Sequence, residues 1–382
     1  MKHLFTKTIF TSSILFITKV LFAQNDAASF LKAGKEEANK LVNGYLQPIS
    51  RGLSSGINDA WYSTAKPLGL LGFDIKVGFG GSLVNNDSKT FTLNSIGANT
   101  DSKSNFLLTP ISGDVNTKQP TIMGDGNSSR FAISTLNPLD NTQRLYIDTI
   151  NSFSGTGSFA SVGTTPFIQV SLGIIKSTEI MVRLMPIQTG DFTSNGFGFG
   201  VKHSLSQWIW GVEKLPIDIA AIATYNTNNL ELAFGENFLN ANSSLPGSLP
   251  SSDYKNSQKL TIKTSGYQAG VIVSKKLLFF TPYLGVTYHS ATSDVAMKGI
   301  FPIKSLRNNN GNIEEYTENI TDPISFSSKA AQAYKGTLGF RFKLGPAAFG
   351  AEYNHSFANE QFSTFNATFA INIQQLAPIP KL

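Results

Sequence analysis

Three histidine–serine pairs are the residues of this sequence whose types and spacing most suggest chemistry: His203-Ser204, His289-Ser290 and His355-Ser356. An imidazole that takes the proton of a serine hydroxyl is the core of many hydrolase sites. Adjacent residues of a β-strand point to opposite faces, however, so a histidine in a strand does not reach the serine that follows it. A hydrolase would need a dyad across strands, and His289→Ala would remove its esterase activity in detergent. We expect no catalytic residues and no enzyme.

Metal and cofactor chemistry find no support in the residue spacing. The chain has no cysteine, and its histidines and carboxylates do not cluster at the spacing of metal ligands. Asp125-Gly126-Asn127 could bind calcium loosely, but these are also the residues of ordinary turns. The glycines of 78–81 and 196–200 lie in alternating patterns with no helix after them, unlike a phosphate loop. We therefore expect no metal and no cofactor, and glycines that make room for a plug or a passing ligand.

A period of two governs most of the chain after Gly72. If this stretch is a strand, Phe73 and Ile75 point one way and Asp74 and Lys76 the other. Charged residues make up 15 % of the chain, against roughly 25 % in soluble domains, and no apolar run after the N-terminus is long enough for a transmembrane helix. Closed barrels are the other structures that cross a bilayer. We predict an all-β, antiparallel transmembrane β-barrel in the outer membrane of a Gram-negative bacterium.

The lengths of the connections predict ten strands, within a range of roughly eight to fourteen. The predicted strands are 72–84, 164–176, 178–187, 195–207, 216–235, 258–275, 278–299, 324–344, 347–358 and 362–374. Short periplasmic turns alternate with long outer loops at 85–163, 236–257 and 300–323, and both termini are expected in the periplasm. Two alternatives stay open. Asn226 to Asn229 could form a turn, and 91–93, 130–133 and 145–150 could be short strands, either in loop hairpins or in a wider wall.

The N-terminal part of the chain has a different pattern. Residues 1–23 have the basic start and apolar stretch of a secretory signal peptide. The barrel itself is assigned to 68–382, because the helical pattern ends at residue 67. Within 24–67 apolar residues recur at three- and four-residue spacing, which predicts a helix that begins near Asp26 and is kinked or ended by Pro48. We expect this segment to be a plug or hatch, and its plug residues are Leu41, Tyr45, Ile49 and Trp61.

The stretch around the first strand resembles a known family. Trp61-Tyr62-Ser63-Thr64-Ala65-Lys66-Pro67-Leu68, followed by Gly72-Phe73-Asp74-Ile75, is similar to an outer-membrane family of Bacteroidetes. That family is related to the transporters for long-chain fatty acids and aromatic hydrocarbons (FadL/TodX-like). The resemblance implies an N-terminal hatch in a fourteen-strand wall and a role in transport. The difference from ten strands would be explained by 85–163 or by a narrower barrel. No stretch matches the transporters' ligand-contact residues.

Charged residues on the polar face of the strands are the candidate lining of the lumen: Asp74, Lys76, Lys202, Arg341, Lys343 and Glu352. This slightly basic set could pair with Glu36 and Glu37 of the helix, or it could line a passage for anionic amphiphiles. We therefore predict a channel or carrier for hydrophobic or amphipathic small molecules. The alternative is a non-catalytic accessory or structural subunit of a larger outer-membrane complex. Expected partners are outer-membrane lipids and lipopolysaccharide, a hydrophobic ligand and other outer-membrane proteins. With a formal charge of +6 that includes the signal peptide, no nucleic acid is expected.

Overall fold

Ten antiparallel strands form a closed barrel, as predicted. The computed structural model describes residues 29–99, 105–155, 161–163, 165–209, 216–234, 244–255, 257–357 and 362–373; the predicted signal peptide and Asp26 lie outside them. Each strand pairs with the next along the chain, and β10 pairs with β1 to close the wall. The strands are β1 Phe73–Leu83, β2 Phe167–Ile174, β3 Thr178–Leu184, β4 Phe192–Ser204, β5 Asp218–Ala233, β6 Lys259–Ser274, β7 Phe280–Lys298, β8 Ile324–Leu344, β9 Ala347–Ser356 and β10 Ser363–Ile373.

The two faces of the wall differ in the way that a bilayer requires. Outward-facing side chains are apolar and exposed, such as Leu284, Val286 and Leu338 at 59 %, 60 % and 61 % exposure. Inward-facing side chains such as Lys76 and Gln268 are buried and polar. A closed wall pairs every strand with two neighbours, which removes the unpaired edges that a membrane does not tolerate. The protein is therefore an outer-membrane β-barrel of a Gram-negative bacterium.

No helix in the part of the chain that the structure describes is long and apolar enough to cross a membrane.

One end of the barrel, here called the turn end, has short connections. Lys176 and Ser177 join β2 to β3 with positive φ angles of 54° and 52°, which is the backbone of a tight hairpin turn. Gly345, with a φ angle of 60°, follows β8 in the same way. By the rule that periplasmic turns are short and outer loops long, this end is the periplasmic one.

The opposite end, here called the loop end, carries ordered structure outside the wall. The stretch 85–163 contains the expected short strands, and they form small sheets rather than extra wall strands: Thr90–Phe91 with Gln119–Pro120, and Phe106–Pro110 with Phe131–Asn137 and Asp140–Ile150. Ser161–Gly163 extends the wall beside β1, and Ile187–Thr189 does so beside β4. The remaining loop-end elements are the 3₁₀ helices Leu31–Ala33 and Asn86–Lys89 and the short helix Ser251–Lys255.

The structure adds detail to two stretches of the predicted layout. The predicted outer loop 300–323 contains a hairpin of Ile300–Asn309 and Asn312–Thr321. Asn310-Gly311 turns it with φ angles of 53° and 84°, the conformation that an Asn-Gly pair favours. Asn226 to Asn229 do not form a turn, because they lie inside β5. Asn226 and Asn228 point into the barrel and bond to Asn58 and Thr165.

Helix α1, Gly34–Gly56, lies at the loop end. It continues through Pro48. Of the two outcomes expected at this proline, a kink or an end, the end is therefore wrong, and packing on both flanks stabilises the helix. Tyr45 packs edge-on against Phe30 and Phe153, with ring centroids 5.5 and 5.4 Å away. The carbonyl of Tyr45 accepts a bond from the Ile122 amide at 3.0 Å. The helix and the small sheets therefore share one apolar core above the wall.

Residues 57–68, here called the lumen segment, run through the barrel from α1 to β1. Asn58 meets Asn226 near the loop end, the Ala65 amide donates to Ser274 Oγ at 2.9 Å, and the Leu68 amide donates to Glu179 Oε2 at 3.0 Å near the turn end. The chain thus enters the lumen from the loop end and leaves it at the turn end. The helix α1 thus lies at the loop end, while the N-terminus, which was expected in the periplasm, lies outside the described residues.

Candidate functional site: the occupied lumen

Asp59 fixes the upper part of the lumen segment to two sides of the wall. Its Oδ1 accepts from Lys335 Nζ on β8 at 2.7 Å, and its Oδ2 accepts from the hydroxyl of Thr364 on β10. Lys335 Nζ also donates to the Ser55 carbonyl at the end of α1, at 2.6 Å. Arg183 on β3 donates to the backbone carbonyl of Asp59 at 2.8 Å. A charged pair that is this deeply buried is tolerated because both members have further partners.

Lys76 and Glu352 bind the backbone of the lumen segment at the residues that follow Asp59. Lys76 Nζ donates to the carbonyls of Ala60 and Trp61 at 2.7 and 3.0 Å. Glu352 Oε1 accepts from the Ala60 amide at 2.7 Å, and Glu352 Oε2 accepts from the Tyr283 hydroxyl at 3.0 Å. In a stretch without regular secondary structure, these side chains replace the backbone partners that a helix or sheet would supply.

Trp61 is the largest buried side chain in the lumen. The guanidinium of Arg183 lies over its ring at 4.2 Å from the centroid and over the ring of Phe167 at 3.8 Å. Gly198 and Gly200 on β4 face the other side of the indole: a Cβ at either position would lie 2.9 Å from a ring carbon. The glycines of 196–200 therefore make room for the lumen segment, which is one of the two roles expected for them.

At the turn end, Lys202 pairs with Glu179 at 2.9 Å and donates to the Thr64 carbonyl at 3.3 Å. Three of the six predicted lumen residues, Lys76, Lys202 and Glu352, thus contact the lumen segment directly. The other three lie nearer the turn end without a bond to it: Arg341 is 3.9 Å from Asp74, and Lys343 donates to Asn372.

Several residues that hold the segment were not predicted from the sequence: Asp59, Gln169, Glu179, Arg183 and Lys335. Four of them lie on the polar face of wall strands, so a complete count of that face would have included them. Asp59 has no local signal, because the stretch that carries it is neither helical nor alternating.

The predicted plug residues of the helix lie above the lumen and not inside it. Leu41, Tyr45 and Ile49 are buried in the loop-end core and against the upper wall, while Trp61 lies beyond the helix in the lumen. Glu37 bonds to Lys40 and to the Asn99 amide, and Glu36 is exposed. The pairing of these glutamates with lumen cations is therefore wrong, and the cations bind the lumen segment instead.

Two small cavities lie beside α1 and the lumen segment. The first is lined almost entirely by apolar side chains, from Leu46, Ile49 and Leu53 of α1 and from Phe192, Leu230, Leu232, Leu260 and Ile262 of the wall. The second shares Leu53 and reaches Asn228 and Thr264, together with Asp59 and Arg183. The first follows the inner face of β4, β5 and β6, whereas the second extends across the lumen to Thr165, Phe167 and Asn366 on the side of β2 and β10.

None of the three histidines bonds to the serine that follows it. His289 Nε2 lies 3.4 Å from Ser356 Oγ, and its Nδ1 has no partner among the described residues that would orient the ring. His203 bonds to Thr178, and His355 bonds to Ser363. Within the described ranges there is also no group of three or more His, Asp and Glu placed to hold a metal ion.

Solved structures that match the chain include an attachment invasion locus protein and two autotransporter domains. Ail of Yersinia pestis is 7 % identical over 80 % of this chain and 99 % of its own, with a TM-score of 0.25. The translocator domain of the autotransporter NalP from Neisseria meningitidis is 7 % identical over 81 % and 90 %, with a TM-score of 0.24. The transport unit of the autotransporter AIDA-I from Escherichia coli is 9 % identical over 87 % and 98 %, with a TM-score of 0.27. Superpositions this loose carry no argument, and the barrel assignment rests on the strand pairing.

No curated protein matches the sequence. One family model matches residues 1–373, and it is described as a family of unknown function, DUF6588. The chain therefore belongs to the DUF6588 family.

Proposed function

We propose that this barrel is an outer-membrane carrier for hydrophobic or amphipathic small molecules. The observation that carries the proposal is the apolar cavity between α1 and the inner wall of β4, β5 and β6. Barrel interiors are ordinarily polar, so an apolar inner surface beside a helix is suited to an alkyl or aromatic group. The resemblance of residues 61–75 to relatives of the fatty-acid and hydrocarbon transporters supports the same class of substrate.

A carrier of this kind has to open, because the lumen segment occupies the barrel. Its polar contacts are ion pairs and hydrogen bonds from wall side chains, and these exchange for water more readily than an apolar core does. Trp61 and Tyr62 add apolar contacts that the displacement has to break as well. Displacement of the segment towards one side would hydrate Lys76, Arg183 and Lys335 rather than leave them buried and unpaired. The lipopolysaccharide layer resists apolar solutes, so a barrel that opens in this way gives them a route that needs no chemistry.

A disulfide between the lumen segment and the wall tests the proposal. A Cβ at Gly350 on β9 would lie 3.9 Å from the Cβ of Ser63, within the range that a disulfide spans. The native chain has no cysteine, so the double variant Ser63→Cys/Gly350→Cys forms no other bridge. We expect cells with the oxidised variant to take up a panel of hydrophobic compounds no faster than a deletion strain, and reductant to restore uptake.

Each single-cysteine variant is the matched control for the loss of the native side chains. If uptake of the panel is the same in the deletion strain, in the wild type and in the oxidised double variant, the barrel is not a carrier for these compounds.

The density of contacts on the lumen segment favours a second function, that of a non-catalytic subunit of a larger outer-membrane complex. Asp59, Lys76, Arg183, Lys335 and Glu352 together hold a short stretch of chain more firmly than a frequently moving plug needs. Purification of the wild-type protein in mild detergent, followed by mass spectrometry, decides this case. A partner at fixed stoichiometry, together with uptake that does not respond to the Ser63–Gly350 bridge, would support the subunit function.

A further inference from the structure

The lumen has a charged half and an uncharged half. All wall charges that contact the lumen segment lie on β1, β3, β4, β8 and β9: Lys76, Glu179, Arg183, Lys202, Lys335 and Glu352. By contrast, β5, β6 and β7, whose residues are all described, place no Asp, Glu, Lys or Arg on their inner face except Asp218 at the turn end of β5. Their charged residues, such as Lys263 and Glu231, alternate to the outside or lie at the strand ends.

The middle of the uncharged half carries polar atoms that lack partners. Thr224, Gln268 and His289 are side by side in the strand register, and all three are buried. Thr224 Oγ1, Gln268 Nε2 and His289 Nδ1 form no hydrogen bond among the described residues. Buried polar atoms in native proteins are almost always bonded, so three unbonded atoms in one row indicate an occupant that bonds to them.

Neighbouring atoms extend this row, which we call the polar row. Asn226 Oδ1, one step towards the loop end, and Trp61 Nε1 are also buried and unbonded. Both side chains pack directly against Gly198, where a Cβ would lie 2.3 Å from Asn226 Oδ1 and 2.9 Å from Trp61, so a ligand reaches them only when the lumen segment moves. The row therefore presents donors and acceptors together, and none of them carries a formal charge.

The strands β5 and β6, which carry Thr224, Asn226 and Gln268 of the polar row, also line the apolar cavity and contribute Asn228 and Thr264 to the second cavity. From Asn226 to Leu230 of the apolar cavity is four residues along β5, or about 13 Å, and Asn228 of the second cavity lies between them. Towards the turn end the row is closed by an apolar and aromatic cluster that includes Tyr62, Ile222, Ile272 and Tyr283. In the closed barrel the apolar cavity, at about 20 Å³, has room for little more than a water molecule. Displacement of the lumen segment and α1, which the carrier function requires, would open a surface for an alkyl tail at the loop end and a polar head in mid-lumen.

An anionic head would not be stabilised at this place. Lys76, Arg183, Lys202 and Lys335 already bind the lumen segment or a carboxylate of their own. A carboxylate in the polar row would lose its hydration without gaining a cation, which costs far more than burying an uncharged group that finds hydrogen bonds. The passage for anionic amphiphiles that the basic lumen residues suggested is thus not favoured.

From this juxtaposition of an apolar cavity and an uncharged polar row, and resting on the proposed carrier function, we propose that the substrates are neutral amphiphiles. Their head groups donate and accept hydrogen bonds, as amides and alcohols do, and they pass along β5, β6 and β7 beside the lumen segment. Fatty-acid anions are excluded by the lack of an available cation.

Uptake of radiolabelled decanamide and decanoate by intact cells tests this proposal, because the two probes share a chain and differ in head-group charge. We expect the wild-type protein to raise the rate for decanamide above that of a deletion strain, with little change for decanoate. Thr224→Val removes one bonding group at nearly constant volume and should lower decanamide uptake about threefold to tenfold. Ser82→Ala is the matched control, since Ser82 Oγ is also buried and unbonded but lies on β1; its uptake should equal the wild type.

A second variant guards against loss by misfolding. Gln268→Lys places a cation in the polar row and should raise decanoate uptake above the wild-type rate, a gain that an unfolded protein does not produce. Equal stimulation of both probes by the wild type, or an unchanged rate in Thr224→Val, would overturn the neutral-head proposal and leave the carrier function standing. If the wild type accelerates neither probe nor any compound of the hydrophobic panel, the carrier function itself fails, and the substrate proposal fails with it.

Discussion

Lys335 and Asp59 form an ion pair at 2.7 Å in the middle of the barrel, with side chains that are 2 % and 1 % exposed. One residue belongs to a wall strand and the other to the lumen segment, so the pair joins two parts of the chain that are 276 residues apart. Lys335 Nζ also bonds to Ser55 at the end of α1. The position of the helix, the segment and the wall relative to one another therefore depends on this lysine.

Removal of one member of the pair should be costly. We expect Lys335→Met to lower the free energy of unfolding by about 3–5 kcal/mol, because Asp59 is left buried without its cation. The double variant Asp59→Asn/Lys335→Met should lose clearly less. Urea unfolding of the refolded protein, followed by the mobility shift of folded and unfolded barrel on gels, measures both. A double variant as unstable as the single one would mean that the loss of stability comes from packing and not from the unpaired carboxylate of Asp59.

Arg183 should not be replaceable by lysine. Its guanidinium lies between the rings of Trp61 and Phe167 while it bonds to Gln169 and to the Asp59 carbonyl, and an ammonium does not keep this planar arrangement. We expect Arg183→Lys to cost about 1–2 kcal/mol of stability. Arg307→Lys is the control, because Arg307 also lies near a ring, that of Tyr316, but on the exposed loop-end hairpin. Equal effects of the two changes in the same unfolding assay would contradict the prediction.

A methyl group at Gly200 should displace Trp61. The added Cβ would lie 2.9 Å from the indole and 3.0 Å from Thr224 Cγ2, and overpacking of this kind costs about 1–3 kcal/mol. Gly69→Ala should change little, since a Cβ there meets nothing within 4 Å. The two melting temperatures, read from the loss of the folded gel band, provide the comparison. A Gly200→Ala protein as stable as Gly69→Ala would show that Trp61 does not pack against this part of β4.

The direction of the lumen segment predicts which side of the membrane each end of it faces. Glu36 is an exposed residue of α1 at the loop end, and Leu278 is 87 % exposed at the turn end. In the cysteine-free chain, a maleimide that does not cross membranes should label Glu36→Cys on intact cells. It should label Leu278→Cys only after the outer membrane has been permeabilised. The reverse pattern would place α1 in the periplasm and invert the barrel.

Most of the barrel wall follows from local patterns in the sequence. Alternation of apolar and polar residues is a local property, and each strand follows from its own ten or so residues and the turn after it. The strands that begin at Phe73, Ile324 and Ala347 were therefore predicted to within two residues of their observed bounds, and the antiparallel order of ten was predicted as well. The Asn310-Gly311 pair is a hairpin-turn signal in the sequence, but the polar residues around it are equally typical of a long outer loop.

The filling of the barrel depends on contacts between residues that are far apart in the chain, and these are visible only in the tertiary structure. Asp59 and Lys335 meet because the wall closes on itself, and no local pattern joins residues so far apart in the chain. Pro48 stays inside α1 because burial on both flanks outweighs the hydrogen bond that proline lacks. The division into a charged and an uncharged half likewise depends on which strands become neighbours. Lys76 and Lys202 could be assigned to the lumen from the alternation of residues along their strands, but their partners could not.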